Sequence, residues 1–336
     1  MKKYKVCIVG AGAVGQEMVR LLRKRNFPAE SIVILARSAR EETIDGEVYP
    51  VKETCAEAFN GMDFAFFAGT EGAKGASQTW GWVAAEKGCV VIDNGDDFRM
   101  DDRVPLVIPE INPEALLNHQ GLIANPNCST IIALMALGPL HQEFGIRHVV
   151  ASTYQAVSGS GASAIRELEN QSKAWANGEE MTAEVYPHPI AFNVLAQIGG
   201  AVDGSPSEEL KMARETHKIL GDASIRVSCT CVRVPVFNAH SEALHVAFEK
   251  PIDPQAARKV LEAAPGVQVV DDLSQARYPM PMDATGKEDV LVGRIRKDSG
   301  FENGLALFVA GDNLWKGAAL NAIQIAEKLI EMSETA

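Results

Sequence analysis

The sequence predicts an α/β protein: a Rossmann-type doubly wound parallel sheet followed by a second α+β domain on a mixed or antiparallel sheet. Three observations carry this. A short β-rich run, Tyr4 to Val9, leads into Gly10-Ala11-Gly12-Ala13-Val14-Gly15 and a helical segment from Gln16. Uninterrupted apolar strands then alternate with helices up to about residue 94, as in a parallel sheet covered on both faces. Beyond residue 145 the strands come without regular βαβ alternation and several read apolar-polar-apolar, the pattern of half-buried strands.

The elements follow in order. Strand, glycine turn and helix form the dinucleotide fingerprint, in which glycines permit the tight turn and let backbone approach a pyrophosphate at the helix N-terminus. Gly10, Gly12, Ala13, Val14 and Gly15 are therefore candidate cofactor contacts. The next strand, Ser31 to Leu35, ends in Ala36-Arg37-Ser38-Ala39-Arg40. A site for NAD usually offers Asp or Glu here for the ribose hydroxyls. Arg37, Ser38 and Arg40 suit a 2′-phosphate instead, and predict NADP. Asp63 to Gly69 and Cys89 to Asn94 read as further buried strands, with a glycine-rich turn from Gly69 to Gly75 and a helix through Trp82 between them. Polar Gly95-Asp96-Asp97-Phe98-Arg99 then stands at a strand's C-terminal end, where such sheets place ligands, and from position alone Arg99 is either an anion contact or a surface charge.

Asn125-Pro126-Asn127-Cys128-Ser129-Thr130 is the pivot of the chain. Pro126 holds Asn125 extended. Ile131 to Leu137 is apolar on every side, as in a buried helix. Asn127 is then a plausible N-cap, and Cys128 lies in the first turn, where the helix dipole and unpaired backbone N–H groups favour thiolate. A free Cys beside an apolar helix is more often just a small buried hydrophobe, so the downstream sequence has to decide. There, a strand from His148 to Val157 runs into Ser158-Gly159-Ser160-Gly161, and a polar helix covers about 164–176. Strands follow at 225–234, 243–248, 290–295 and 305–310, and a last amphipathic helix opens at Asp312-Asn313-Leu314.

The totals exclude several classes. A net charge of −12 on 336 residues argues against nucleic acid or an anionic membrane as partner, so any bound anion needs local cations. No apolar run approaches the ~18 residues of a membrane span, and Met1-Lys2-Lys3-Tyr4 leads straight into a strand. The six cysteines read as reduced thiols of a cytoplasmic protein. No residue set with metal-ligand spacing is present, and no metal is expected.

Taken in order, the fingerprint, Asn125–Thr130, Thr153–Gly159, Arg233-Val234-Pro235-Val236-Phe237-Asn238-Ala239-His240-Ser241-Glu242 and Asp312–Ala319 resemble aspartate-semialdehyde dehydrogenase over nearly the whole chain. The resemblance implies an NADP-dependent enzyme. It would interconvert aspartyl 4-phosphate with aspartate 4-semialdehyde and phosphate through a Cys thioester, on the route to lysine, threonine and methionine. Cys128 would be the nucleophile, His240 the acid/base and Gln155 the residue orienting the reacting groups. Glu208 and Arg233 would hold the substrate's ammonium and carboxylate, and Arg99, Asn127 and Lys211 its phosphate. Ser158 and Gly159 would lie beside the cofactor and Asn313 would meet the nicotinamide carboxamide.

The family fold implies an NADP-binding domain of residues 1–127 plus 312–336 and a catalytic and dimerisation domain of 128–311, assembled as a homodimer. Read without the resemblance, Glu208 and Lys211 are i, i+3 charges of a solvated helix face, and His240 is a polar residue in a strand-end turn. Arg233 in an apolar strand needs a partner in any case. Three features depart from the family pattern: a glycine loop one residue shorter, Gly95-Asp96 in place of Ser-Ser, and a long Thr70–Trp82 segment. The rival readings are N-acetyl-glutamyl-phosphate reductase, whose Cys motif differs from Asn-Pro-Asn-Cys-Ser-Thr, and a non-catalytic homologue. A scaffold would have no need of Cys128, Gln155, Arg233 and His240 together.

Overall fold

The computed structural model describes residues 2–69 and 75–335, so the expected glycine-rich turn and the Thr70–Trp82 segment lie outside the described residues from Thr70 to Lys74. The chain forms two compact units, one of residues up to Asn127 together with those from Ala318 on, the other Cys128–Gly317.

The first unit opens with β1 (Tyr4–Val9), α1 (Ala13–Lys24) and β2 (Ala29–Ala36). Next come β3 (Arg40–Ile44), β4 (Glu47–Glu53), β5 (Phe64–Phe67), α2 (Ala76–Glu86), β6 (Val90–Asp93) and β7 (Leu122–Ala124). They make a seven-stranded sheet in the order β3-β4-β2-β1-β5-β6-β7. Every pairing is parallel except β3 with β4. Val6, Ile8, Phe66 and Ile92 are fully buried, which is why these strands read as unbroken apolar runs. β1 lies between β2 and β5, so the chain leaves it to one side and returns on the other. The turn after β1 therefore sits at the topological switch point.

The strands β3 and β4 were not anticipated. Asp45 and Gly46 both take positive φ, 51° and 82°, as a two-residue hairpin turn between right-twisted strands requires. The Asp-Gly pair was the available signal. Arg40 consequently belongs to an edge strand rather than a free loop.

The second unit contains α3 (Cys128–Phe144), β8 (Ile146–Gln155), α4 (Ala162–Asn177), and a small hairpin of β9 (Ala201–Val202) and β10 (Ser205–Pro206). It continues with α5 (Ser207–Leu220), β11 (Arg226–Arg233), β12 (His240–Phe248), α6 (Pro254–Ala263), β13 (Val267–Val269), α7 (Pro281–Ala284), β14 (Val290–Lys297) and β15 (Gly304–Gly311). Its main sheet has the order β11-β8-β12-β15-β14-β13. The four central strands pair antiparallel, and β11 and β13 add on in parallel, so the sheet is mixed. α3 packs on this sheet, with Ile131 to Leu137 and Leu140 buried. That placement explains a helix apolar on every side.

The chain returns to the first unit later than expected. Asp312 and Asn313 are tied into the second unit by Gly286 N–H to Asp312 Oδ2 (2.7 Å) and Ala239 N–H to Asn313 Oδ1 (2.9 Å). The last helix also does not begin at Asp312. A π-helical turn, Trp315–Ala319, precedes α8 (Leu320–Thr335). α8 docks within the first unit, where Arg25, the residue that caps the end of α1, grips Glu327 through two bonds of 2.9 and 2.7 Å.

Candidate active site

In the first unit each glycine of the turn has its own reason. Gly10 adopts φ +116°, which L side chains rarely tolerate, and a Cβ on Gly15 would lie 1.9 Å from the Gly10 carbonyl oxygen. A Cβ on Gly12 would meet nothing within 4 Å, so protein packing does not demand glycine there and the space is open to a ligand. Gly12 caps α1 with no side-chain hydrogen bond, and the first turn carries no acidic residue. This N-terminus, with Ala13 and Val14 in its first turn, fits a pyrophosphate. The shorter loop therefore retains the parts a dinucleotide needs.

Arg37, Ser38 and Arg40 are exposed just beyond β2. Arg40 is partly engaged by Glu42 (3.2 Å), whose other oxygen accepts from Gln16. Among the described residues Arg37 is drawn into no ion pair, so it is the more available of the two cations. Arg99 is not the surface charge its position also allowed. It is buried, donating from Nε to the Asn125 carbonyl and from Nη2 to the Asn94 carbonyl, both at 3.0 Å. Asn125 in turn donates to Asn94 Oδ1 (2.6 Å) and accepts from Asn321 of α8 (2.7 Å). Arg99 thus clamps the segments that follow β6 and β7, and Asn127 is buried two residues beyond.

The second unit begins with Cys128 as the first residue of α3, partly exposed while its neighbours Ser129 to Ile132 are buried. First-turn N–H groups and the helix dipole act on its sulfur. Gly317 is needed beside it, because a Cβ there would stand 2.9 Å from the Cys128 Cβ. One turn along α3, Ile132 fills the space over Gly311, whose register partner across the sheet is His240.

The other predicted side chains of this unit converge at the ends of β11, β8 and β12. Arg233 pairs with Gln155 in register, and Tyr154 with Ser241, so Arg233, Gln155 and His240 end adjacent strands on one face. All three are buried. His240 is the first residue of β12 rather than part of an exposed turn, because Ser241 onward is already paired to both neighbouring strands. Arg233 Nη1 donates to the Ala156 carbonyl at 2.8 Å, while its Nε has no partner among the described residues. Gln155 Nε2 donates to Glu208 Oε1 (3.2 Å). Glu208 is only 6% exposed, which overturns the solvated-face reading, because α5 presses that side onto β11. Lys211 stands 3.9 Å from Glu208 with its side chain about one-third exposed.

Gly159 covers this group: a Cβ there would be 2.8 Å from Arg233 Nη1 and 3.2 Å from His240 Nε2. Ser158 and Asn313 lock the neighbouring loop. Asn313 Oδ1 accepts from Ala239 N–H, and the Asn313 amide and Ser158 hydroxyl are 3.0–3.1 Å apart. Ala239 is held at φ +69°, uncommon for a residue with a Cβ, and the next residue is His240. The Asn313 side chain, expected to meet the nicotinamide carboxamide, is thus oriented by Ala239 and Ser158.

Sequence reading passed over Glu242. Two residues after His240 on the same face of β12, it is fully buried, and neither carboxylate oxygen has a partner among the described residues. Burial first, and the Glu208 charge second, push its pKa well above the ordinary carboxylate value. The raised value fixes the sign of a pH effect. Below the unfolded value near pH 4 both states are protonated. Above it only the unfolded chain gives up the proton, and stability drains away at up to ~1.4 kcal/mol per pH unit until the folded pKa is passed. Glu242→Gln should flatten that decline between pH 5 and 8. Urea midpoints that fall equally steeply with pH in both proteins would count against it.

A turn suited to a dinucleotide on one sheet, and a cysteine at a helix start with buried Arg, Gln, His and Glu on another, are the parts of a nucleotide-dependent aldehyde dehydrogenase. Residues 5–119 match the semialdehyde dehydrogenase NAD binding domain, and residues 137–316 match the semialdehyde dehydrogenase dimerisation domain. The chain belongs to the semialdehyde dehydrogenase family, and its first unit takes a pyridine nucleotide.

Its relatives narrow the class. Aspartate-semialdehyde dehydrogenase of Aquifex aeolicus is 49% identical over 337 residues, covering 98% of both chains. The Bacillus subtilis enzyme of that name is 44% identical over 341 residues, again with 98% of each covered. The crystal structure of aspartate semialdehyde dehydrogenase II from Vibrio cholerae superposes with a TM-score of 0.92 at 42% identity, over 98% of this chain and 99% of that one. Among the described residues no helix is long and apolar enough to cross a membrane.

Proposed function

We propose that this chain catalyses the NADPH-dependent reductive dephosphorylation of L-4-aspartyl phosphate to L-aspartate 4-semialdehyde. The observation that carries this reading is the buried row of Arg233, Gln155 and His240, with Glu208 bonded to Gln155, in the unit that opens on Cys128. Arg233 has unused hydrogen-bonding capacity for an α-carboxylate, and Glu208 stands near enough to share an ammonium. An anion and a cation a few ångströms apart define a free amino acid head.

In the mechanism, the Cys128 thiolate displaces phosphate from the acyl carbon and forms a thioester. Lys211, the partly exposed cation beside Glu208, draws the phosphate. Gln155, tethered to Glu208, keeps the carbonyl in line. His240 faces the reacting oxygen. A nucleotide held at the glycine turn would supply the hydride to the thioester carbon, and expulsion of the Cys128 sulfur would then yield the aldehyde. Arg37, Ser38 and Arg40 support NADP as the nucleotide.

The assembly is a homodimer through the second unit. Its matched dimerisation domain supports this, as do Val150 and Tyr154, exposed on the other face of β8, where Tyr154 lies 6.2 Å from Phe308. Six free cysteines agree with a cytoplasmic site of action.

The test is phosphate-dependent reduction of NADP⁺ by aspartate semialdehyde, with N-acetyl-glutamate semialdehyde as competitor substrate. An acetylated nitrogen leaves Glu208 without its charge partner, a loss of about 1.5–3 kcal/mol or one to two orders of magnitude in kcat/KM. Aspartate semialdehyde should win by that margin, and NADP⁺ should outperform NAD⁺. Equal rates for the two aldehydes would overturn the substrate assignment.

A further inference from the structure

We propose that Glu42 is a specificity-determining residue of the nucleotide site: its carboxylate holds Arg40 in an ion pair that a 2′-phosphate must break, and so narrows the preference for NADP over NAD. This rests on the reading of the first unit as an NADP site and concerns a side chain to which that reading gives no part.

Gln16, Arg20 and Arg23 stand at i, i+4 and i+7 along α1 and so share one side of the helix. The β3–β4 hairpin meets each of them with an acid. Gln16 Nε2 donates to Glu42 Oε1 at 3.2 Å, Arg20 Nε to Asp45 Oδ1 at 2.9 Å, and Arg23 pairs with Glu47. This polar ladder docks the hairpin along α1, so the helix, and not a loose loop, sets the place of Glu42. Glu42 is the rung nearest the helix N-terminus, because Gln16 is the fourth residue of α1, and that N-terminus is the one that fits a pyrophosphate.

The second oxygen of the same carboxylate faces Arg40, two residues back on one face of β3. Glu42 Oε2 accepts from Arg40 Nε at 3.2 Å, and Arg40 Nη1 donates to the Ser38 carbonyl at 3.4 Å. The guanidinium is thereby committed to groups of its own segment. That segment, Arg37 to Glu42, carries two arginines and two glutamates, so it offers a phosphate no net positive charge. A 2′-phosphate beyond the end of β2 brings about two negative charges. To take it in a two-bond grip, Arg40 has to release Glu42, whose carboxylate then stands nearby with the phosphate's own sign. NAD carries no such group and meets neither cost. Arg37 is drawn into no ion pair among the described residues, so it can bind the phosphate without this exchange.

Isothermal titration calorimetry of the full-length protein with NADP⁺ and with NAD⁺, in the absence of substrate, tests this. Glu42→Gln removes the charge but keeps an acceptor for Gln16, and the other two rungs of the ladder still dock the hairpin. It should tighten NADP⁺ binding about three- to tenfold and leave NAD⁺ within about twofold. Glu41→Gln removes the same charge from the opposite, exposed face of β3 and should move NADP⁺ by less than about twofold. Arg40→Ala should cost less than about twofold in the unaltered chain and about fivefold or more on top of Glu42→Gln, because only there is the guanidinium released. Unchanged NADP⁺ binding in Glu42→Gln, equal gains in the two Glu variants, or the same Arg40→Ala loss in both backgrounds would overturn the proposal. Failure of the NADP reading itself shows elsewhere. If Arg37→Ala, which leaves the Glu42 pair intact, does not weaken NADP⁺ binding, the chain has no 2′-phosphate site and both readings fall; with that effect present, the Glu42 variants judge this proposal alone.

Discussion

Cys128→Ser should abolish turnover, by at least about 10³-fold in kcat, while the melting temperature stays within a few degrees of the unaltered protein. The sulfur stands at the first residue of α3, where the helix dipole favours its anion. Serine in the same place has a far higher pKa, so nearly all of it stays protonated at pH 7. An ester on that serine would also expel its alkoxide less readily than a thioester expels thiolate. Folding should be spared because Cys128 is partly exposed and the substitution exchanges one small group for another. More than a few per cent of residual activity in the pure variant would remove Cys128 as the nucleophile.

Gly159→Ala should lower kcat/KM for aspartate semialdehyde by about 10²-fold or more, with one methyl group as the only change. That methyl would sit 2.8 Å from Arg233 Nη1 and 3.2 Å from His240 Cε1 and Nε2. Neither neighbour has room to withdraw. Arg233 is held by the Ala156 carbonyl at 2.8 Å, and His240 by the Ala156 N–H at 3.0 Å. The substitution therefore displaces the carboxylate grip and the oxygen contact together. Both KM and kcat should suffer, unlike a lesion in the nucleotide turn, which would weaken the cofactor instead. Steady-state kinetics at saturating NADP⁺ separate the two, and near-normal kcat/KM would show that the loop has slack the packing denies.

Much of the fold was legible because it follows from local rules. The strand–glycine–helix order around Gly10 to Gly15 and the apolar runs at Phe64 to Phe67 and Val90 to Asp93 report periodicity and turn chemistry directly. The β3–β4 hairpin was equally local, signalled by Asp45-Gly46, and was passed over because its strands are polar and half exposed. The late return of the chain to the first unit is different in kind. Nothing in Asp312-Asn313-Leu314 announces that its side chains bond to Gly286 and Ala239, dozens of residues upstream.

By itself, the sequence determined the class of chain, the glycine turn, the cysteine at a helix start and the order of the motif blocks, because each is a property of neighbouring residues. Only the tertiary structure decided the state of the side chains in those blocks. Glu208 is i, i+3 from Lys211 on a helix that could have faced water, and it is buried because β11 lies beneath it. Arg99 could have been a surface charge, and it is a clamp on two carbonyls. His240 could have used either ring nitrogen, and the Ala156 N–H, 84 residues away in sequence, settles which one holds the lone pair. Burial, partner and tautomer are set by which strands and helices meet, and strand pairing joins residues at separations no local pattern encodes.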